Sequence, residues 1–285
     1  MAEAIETAAG GDGRRPTSLR LAAYFRPHEG IPGRLSMTLK ITLFVAIGLA
    51  WWGTTALGLV KPLFVPAPAT VARAFVSMYV EGGFLADLWV SVYRVAIGFG
   101  LAALIGTPLG VFMGTFQVVR SVFEPFLAFL RYMPATAFIP LLILWLGVDT
   151  TQKLAVIFIG TFFHYTLLVM DVTRNVPHQY IESAHMLGAR IGQIVRRVVW
   201  PASQPGIMNN LRIILGWAWT YIVVAEMVSA ERGVGHVILT ASRFLETETI
   251  FVGILSIGVV GIVSDYAFHL ISRRLFPYIK HQRDT

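Results

Sequence analysis

The sequence predicts an all-α, polytopic membrane protein of about six transmembrane helices, and three observations carry that expectation. Of its 285 residues, 55% are hydrophobic and only 14% are charged, whereas a soluble domain carries about 25% charged residues. Apolar runs recur at 38–60, 85–115, 122–147, 153–172, 205–229 and 250–272, each long enough to cross about 30 Å of hydrocarbon as a helix. The Lys and Arg residues gather in alternate connecting segments, the charge asymmetry of a multi-pass protein. With no cysteine, a disulfide framework and thiolate metal sites are excluded. The net charge of +7 does not point to nucleic acid, because the basic residues are scattered around apolar runs.

Residues 1–37 read as a polar, flexible tail, and the lack of an apolar h-region argues against a cleavable signal peptide. The membrane domain spans 38–275, and 276–285 form a short second tail. After the first span, VPAP (65–68) signals a turn, and Val71, Phe75 and Met78 then share one face of an interfacial or lid helix. In the second span Gly98, Ala102, Gly106, Gly110 and Gly114 recur every fourth residue, a stripe that lets another helix approach closely in lipid. Pro125, Pro134 and Pro140 divide the third span into a broken element, tolerable where it packs against protein rather than lipid. Between the last two spans, 230–249 suits a short helix after a glycine turn.

Charges inside the spans are costly and therefore functional candidates for the translocation pathway. Arg94 and Glu226 lie at matching outer depths, so they form either a structural ion pair or, alternatively, an arginine that attracts an anion. Arg212 shares a helical face with Glu226 but stands about 21 Å from it along the axis. Asp265 and His269, four residues apart, suit a local hydrogen-bonded pair. With the N-terminus inside, segments 1–40, 116–121, 174–200 and 273–285 hold fifteen of the 23 Lys and Arg residues, and the outer segments hold five: Lys61, Arg73, Lys153, Arg232 and Arg243. Both termini and the loop 174–204 are therefore expected in the cytoplasm.

That loop interrupts the apolar pattern. Pro177 sets a helix start; Ile181, Ala184 and Leu187 share a face, and Glu182 suits the positive end of the helix dipole. Gly188 allows the left-handed conformation that ends a helix. A second piece has Ile191, Ile194, Val195 and Val198 apolar and Arg196 and Arg197 polar, with Pro201 and Pro205 expected to stop it. Such an elbow fits either a groove on a partner or the anionic inner leaflet.

The spacing Glu182-Ser183-Ala184, three residues, Gly188, nine residues, Val198, one residue, Trp200-Pro201 resembles the EAA loop of bacterial binding-protein-dependent ABC importer permeases. The family pattern is Glu-Ala-Ala, Gly, Ile and Leu-Pro at the same spacing. Ser183, Val198 and Trp200 depart from it, and Trp200 is the bulky change. RYMPATAFIPLLILWLGV (131–148) and YIVVAEMVSAERGVGHVI (221–238) are similar to segments of the nitrate, sulfonate, taurine and bicarbonate branch. The resemblance spans 38–275 and implies a coupling helix seated in a cleft of a cytoplasmic ABC ATPase. It further implies a second permease subunit (expected as a homodimer), a periplasmic or lipid-anchored solute-binding protein, the bacterial inner membrane, and a small oxidised anion as cargo. The chain has no G-x-x-x-x-G-K-[ST] and no Gly-Lys pair, so ATP and Mg are expected on the partner ATPase and no cofactor or catalysis on this chain. GFGLAA (98–103) lies inside a span without a preceding strand and is no nucleotide loop. The histidines show no metal-ligand spacing. The alternatives are an ion-gradient-driven transporter or channel, and a membrane scaffold that recruits a cytoplasmic protein.

Overall fold

In hydrocarbon every backbone N–H and C=O must find a partner within the protein, which a helix achieves inside one segment. The computed structural model describes residues 33–277, and these are helical with no strand. Of the expected tails, residues 1–32 and 278–285 lie outside the described residues, whereas residues 33–37, expected in the first tail, already belong to a helix. The chain divides into two units at Val60. The first holds α1 (Gly33–Ala56), of which Leu35–Ala56 is long and apolar enough to cross a membrane.

The second unit begins with α2 (Pro68–Val80), α3 (Phe84–Thr115) and α4 (Gln117–Arg131). A 3-10 turn at Ala135–Phe138 leads into α5 (Ile139–Leu146), followed by α6 (Thr150–Arg174). The loop carries α7 (His178–Met186) and α8 (Ile191–Ile194); α9 (Trp200–Ser229), α10 (Val234–Arg243) and α11 (Thr247–Leu275) complete it. Segments α3, α6, Ile191–Ser229 and α11 are each apolar and long enough to span. The third apolar run is broken as expected, with α4 and Ala135–Leu146 bent by 83°. The prolines do not divide it equally, however. Pro125 lies inside α4 and Pro140 in the first turn of α5. Only Pro134, extended at ψ 120, marks the break, because proline disfavours the α conformation of the residue before it.

The small-residue stripe packs α3 against α6. A Cβ on Gly106 would stand 2.8 Å from Thr166 Oγ1, on Gly110 2.7 Å from the Thr166 carbonyl, and on Gly114 2.7 Å from the Met170 carbonyl. At Gly98 it would meet Ile157 at 2.9 Å, and Ala102 is fully buried. Helix α9 closes the core, bringing Ile214, Ala218 and Ile222 against Val95, Ile157 and Val169. Two hydrogen bonds cross this layer: Tyr165 Oη and Thr107 Oγ1 lie 2.6 Å apart, and Asn210 Nδ2 donates to the Leu168 carbonyl at 3.0 Å.

Pro201 and Pro205 do not stop the second loop piece. Residues Ile191–Ser229 run as one helical segment of 39 residues, through a π turn at Val195–Val199 in which the Trp200 N–H reaches back to the Val195 carbonyl. Pro201 stands in the first turn after it, where a missing N–H is best tolerated, and the widened turn gives its ring room. Helix α2 keeps Val71 buried, but Phe75 is exposed and stacks on Tyr79, 4.2 Å between ring centroids. Tyr79 Oη donates to Ser256 Oγ of α11 at 3.0 Å and holds α2 in place.

The stripe should behave as a packing surface. Gly110→Leu, on the α6 face, should destabilise the protein by about 1–3 kcal/mol. Gly100→Leu, with no neighbouring atom within 4 Å, should not. Thermal melting of the detergent-purified protein checks this, and equal melting temperatures for the two variants would contradict it.

Candidate functional site

Two polar places stand out on the second unit, at opposite ends of the continuous segment Ile191–Ser229. The first is the loop. Pro177 caps α7, His178 Nδ1 lies 3.2 Å from Glu182 Oε1 one turn on, and Ser183 Oγ donates to the Gln179 carbonyl at 2.7 Å. Gly188 takes φ +76, the left-handed conformation that releases the chain from the helix. The Ala189 N–H bonds to the Ala184 carbonyl at 3.0 Å and the Gly188 N–H to the His185 carbonyl at 2.9 Å. The turn then enters α8, where Gln193 Oε1 accepts the Arg190 N–H at 2.9 Å.

Ile181 and Ala184 are half-buried, but Leu187 is not on their side. It follows the last residue of α7, where the chain is already leaving the helix, and it is 87% exposed. With Met186 at 90% and Ile191 at 62% it forms an uncovered apolar tip at the bend. Helical periodicity alone placed Leu187 on the inner face, and the cap geometry turned it outward. Val198 is half-buried, Ile194 and Val199 are buried, and Trp200 is accommodated at 37% exposure.

The second place, on the side expected to face outward, is a buried network joining α3, α9 and the turn before α10. Arg94 Nη1 donates to Glu226 Oε1 at 2.8 Å and to the Arg232 carbonyl at 2.8 Å. Ser91 Oγ stands 2.8 Å from Glu226 Oε2 and accepts the Val234 N–H at 3.0 Å. The Gly235 N–H donates to Glu226 Oε2 at 3.0 Å, and Asp87 Oδ1 accepts the Gly233 N–H at 3.0 Å. Arg94 is 7% exposed and Glu226 0%. Gly233, at φ +122, and Gly235 are required here: a Cβ on the first would overlap the Glu226 carboxylate and on the second the Val223 carbonyl. The pair expected from depth is thus present, and its geometry favours the ion-pair reading of Arg94.

Beside it lies a residue that the charge count had placed in an outer connection. Lys153 sits in the first turn of α6, 2% exposed, with Nζ donating to the carbonyls of Val148 (3.1 Å), Asp149 (3.2 Å) and Ser229 (2.8 Å). It ties the start of α6 to the end of α9. The available signal was Asp149, whose carboxylate accepts the Thr150 N–H at 2.8 Å and starts α6 just before the lysine.

Arg212 is not part of this network. It makes a two-point ion pair with Asp265 of α11, with Nη2 to Oδ2 at 2.8 Å. Asp265 therefore pairs across helices and not with His269. A guanidinium fork offers two donors matched to a carboxylate, where the imidazole one turn away offers one.

Residues 106–277 match the family model described as "Binding-protein-dependent transport system inner membrane component". The taurine transport system permease protein TauC of Escherichia coli (strain K12) is 31% identical over 247 residues, covering 85% of this chain and 90% of that one. A Bacillus subtilis (strain 168) permease, SsuC, whose name assigns it provisionally to aliphatic sulfonates, is 33% identical over 84% of this chain and 87% of its own. The fold matches a chain of the inward-facing MetNI methionine ABC transporter (CY5 native crystal form) with TM-score 0.60 at 19% identity, covering 67% of this chain and 95% of that one.

Removing one member of the buried pair should be costly. Arg94→Ala and Glu226→Ala should each destabilise the protein by about 3–5 kcal/mol, because a buried charge is left alone. Exchanging the two residues should not restore stability, since Ser91 and the Gly235 N–H also need a carboxylate at 226. Expression level and melting temperature test both statements, and wild-type values for either alanine variant would contradict them.

Proposed function

The chain belongs to the family of binding-protein-dependent transport system inner membrane components, and from that premise we propose that it translocates a small sulfonate-type anion, driven by a separate ATPase docked on its loop. It is an ABC transporter permease subunit of the inner membrane. The observation that carries the mechanism is the uncovered tip of Met186, Leu187 and Ile191 around the left-handed Gly188. An exposed apolar projection, flanked along the chain by exposed Glu182, Arg190, Arg196 and Arg197, suits insertion into a groove. The occupant of that role is a cytoplasmic ABC ATPase, which holds ATP and Mg, while Glu182, Ser183, Ala184, Gly188, Val198 and Pro201 shape the element that enters it.

Because α8 and α9 are one helical segment, a displacement of the elbow is delivered along about 53 Å of helix to the outer network at Glu226. A second copy of the permease completes the pathway, and an external solute-binding protein delivers the anion. The sulfonate class is supported by the names of the two relatives. Cytoplasmic termini are supported by the fifteen basic residues on one side against five on the other. A gradient-driven proton path is disfavoured, because Glu226 is enclosed in its network and Asp265 is held by Arg212.

Two outcomes test this reading. Gly188→Asp should strain the turn by about 1–2 kcal/mol and abolish ATP-driven uptake while leaving the protein inserted; normal uptake with the ATPase bound would remove the elbow from the coupling role. A periplasm-active reporter fused after residue 240 should be active and one fused within 186–195 inactive. The opposite pattern would invert the topology.

A further inference from the structure

The break between α4 and α5 opens a cavity of about 300 Å³ that neither the outer network nor the elbow uses. Arg131, Tyr132 and Thr136 line it from the break, Gly160 and His164 from α6, and Tyr221 from α9. Irregular backbone within a span is tolerated where it is buried in protein or borders a cavity that admits water, and here it borders this cavity. Gly160 lets α9 close the far wall: a Cβ there would stand 2.5 Å from the Tyr221 ring. His164 packs its ring edge-on against Trp217, with centroids 4.8 Å apart, which holds the imidazole at the cavity wall. It lies fourteen residues from the outer end of α6 and ten from the inner end, about 21 Å and 15 Å along the axis, near the middle of the span.

The cavity has one sign of charge. Arg131 lines it, and among the described residues no Asp or Glu does. Among the described residues Arg131 forms no ion pair; its Nη2 donates to the neighbouring Tyr132 hydroxyl at 3.2 Å, with the guanidinium 5.1 Å from that ring's centre. Arg94 and Arg212, the other span arginines, each have a carboxylate. A cation at this depth without a counter-charge is expensive, and a passing anion would supply one. A guanidinium fork matches two oxygens of a tetrahedral oxyanion, and the Thr136 and Tyr221 hydroxyls and the imidazole add groups able to donate to the rest.

We propose that Arg131, with Thr136, His164 and Tyr221, forms a way-station for a small oxyanion at the broken helix, midway through the membrane. The sulfonate identity of that anion rests on the functional reading above; the preference for negative charge does not.

The cysteine-free sequence provides a test that needs neither ATPase nor binding protein. In the detergent-purified Thr136→Cys chain, 2-sulfonatoethyl methanethiosulfonate should label faster than its trimethylammonium analogue by about tenfold, relative to a free thiol, since a cleft of one sign raises the encounter rate of opposite charge. Adding Arg131→Gln should remove the preference and adding Arg131→Lys should keep it. In the assembled transporter Arg131→Gln should lower sulfonate uptake about tenfold while hydrolysis stimulated by the loaded binding protein persists. No charge preference at Thr136→Cys, equal losses for the Gln and Lys variants, or wild-type uptake by Arg131→Gln would each overturn the site. A preserved preference in an assembly that imports no sulfonate would support the site and refute only the choice of cargo.

Discussion

A carboxylate with no access to water, near the end of a transmembrane helix, must be neutralised by the protein itself. Glu226 meets that requirement with one guanidinium, one hydroxyl and one backbone N–H, and each partner comes from a segment that would otherwise be independent. Arg94 and Ser91 commit α3, and Gly235 commits the start of α10. The same turn is bound a second time through Asp87 and Lys153. Removing any one partner leaves charge or polarity stranded where neither water nor lipid can compensate. The starts of α3 and α6 and the end of α9 are therefore held in register by electrostatics, and the apolar stripe between α3 and α6 need only supply close contact.

This constraint gives the rest of the fold its mechanical meaning. The helix that carries Glu226 begins, without interruption, at the exposed elbow. Its one irregularity is the π turn beside Arg196 and Arg197, where the hydrogen-bond pattern widens and the segment has room to bend. A segment with few joints transmits a displacement along its length, and here the joint lies next to the exposed elbow. The break between α4 and α5 is the other irregularity, and it borders the cavity lined by Arg131, which forms no ion pair among the described residues.

Much of this was legible from residue spacing, and the failures share a cause. Six apolar runs, the stripe from Gly98 to Gly114, the turn at Gly188 and the depth match of Arg94 with Glu226 are all local or one-dimensional signals. Pro201 was misread because a proline's effect depends on its neighbours' hydrogen bonding, which a π turn rearranges. Asp265 was assigned to His269 because periodicity sees only partners on the same helix, while Arg212 lies on another. Lys153 was counted as an outer-loop charge because Asp149 signals a helix start before it but not that the Ser229 carbonyl of another helix meets its ammonium. Leu187 fits the apolar face by count, but the helix ends one residue earlier.

The central claim is that the tip around Gly188 is the contact through which a separate ATPase drives this permease. A single cysteine introduced as Leu187→Cys, in a chain that has none of its own, would report that contact directly by crosslinking within the assembled transporter. The account predicts a crosslink to the ATPase subunit whose yield changes between nucleotide-free and ATP-bound states. A Leu187→Cys chain that is freely labelled by soluble thiol reagents in the transport-competent assembly, with no crosslink to the ATPase in either state, would contradict it.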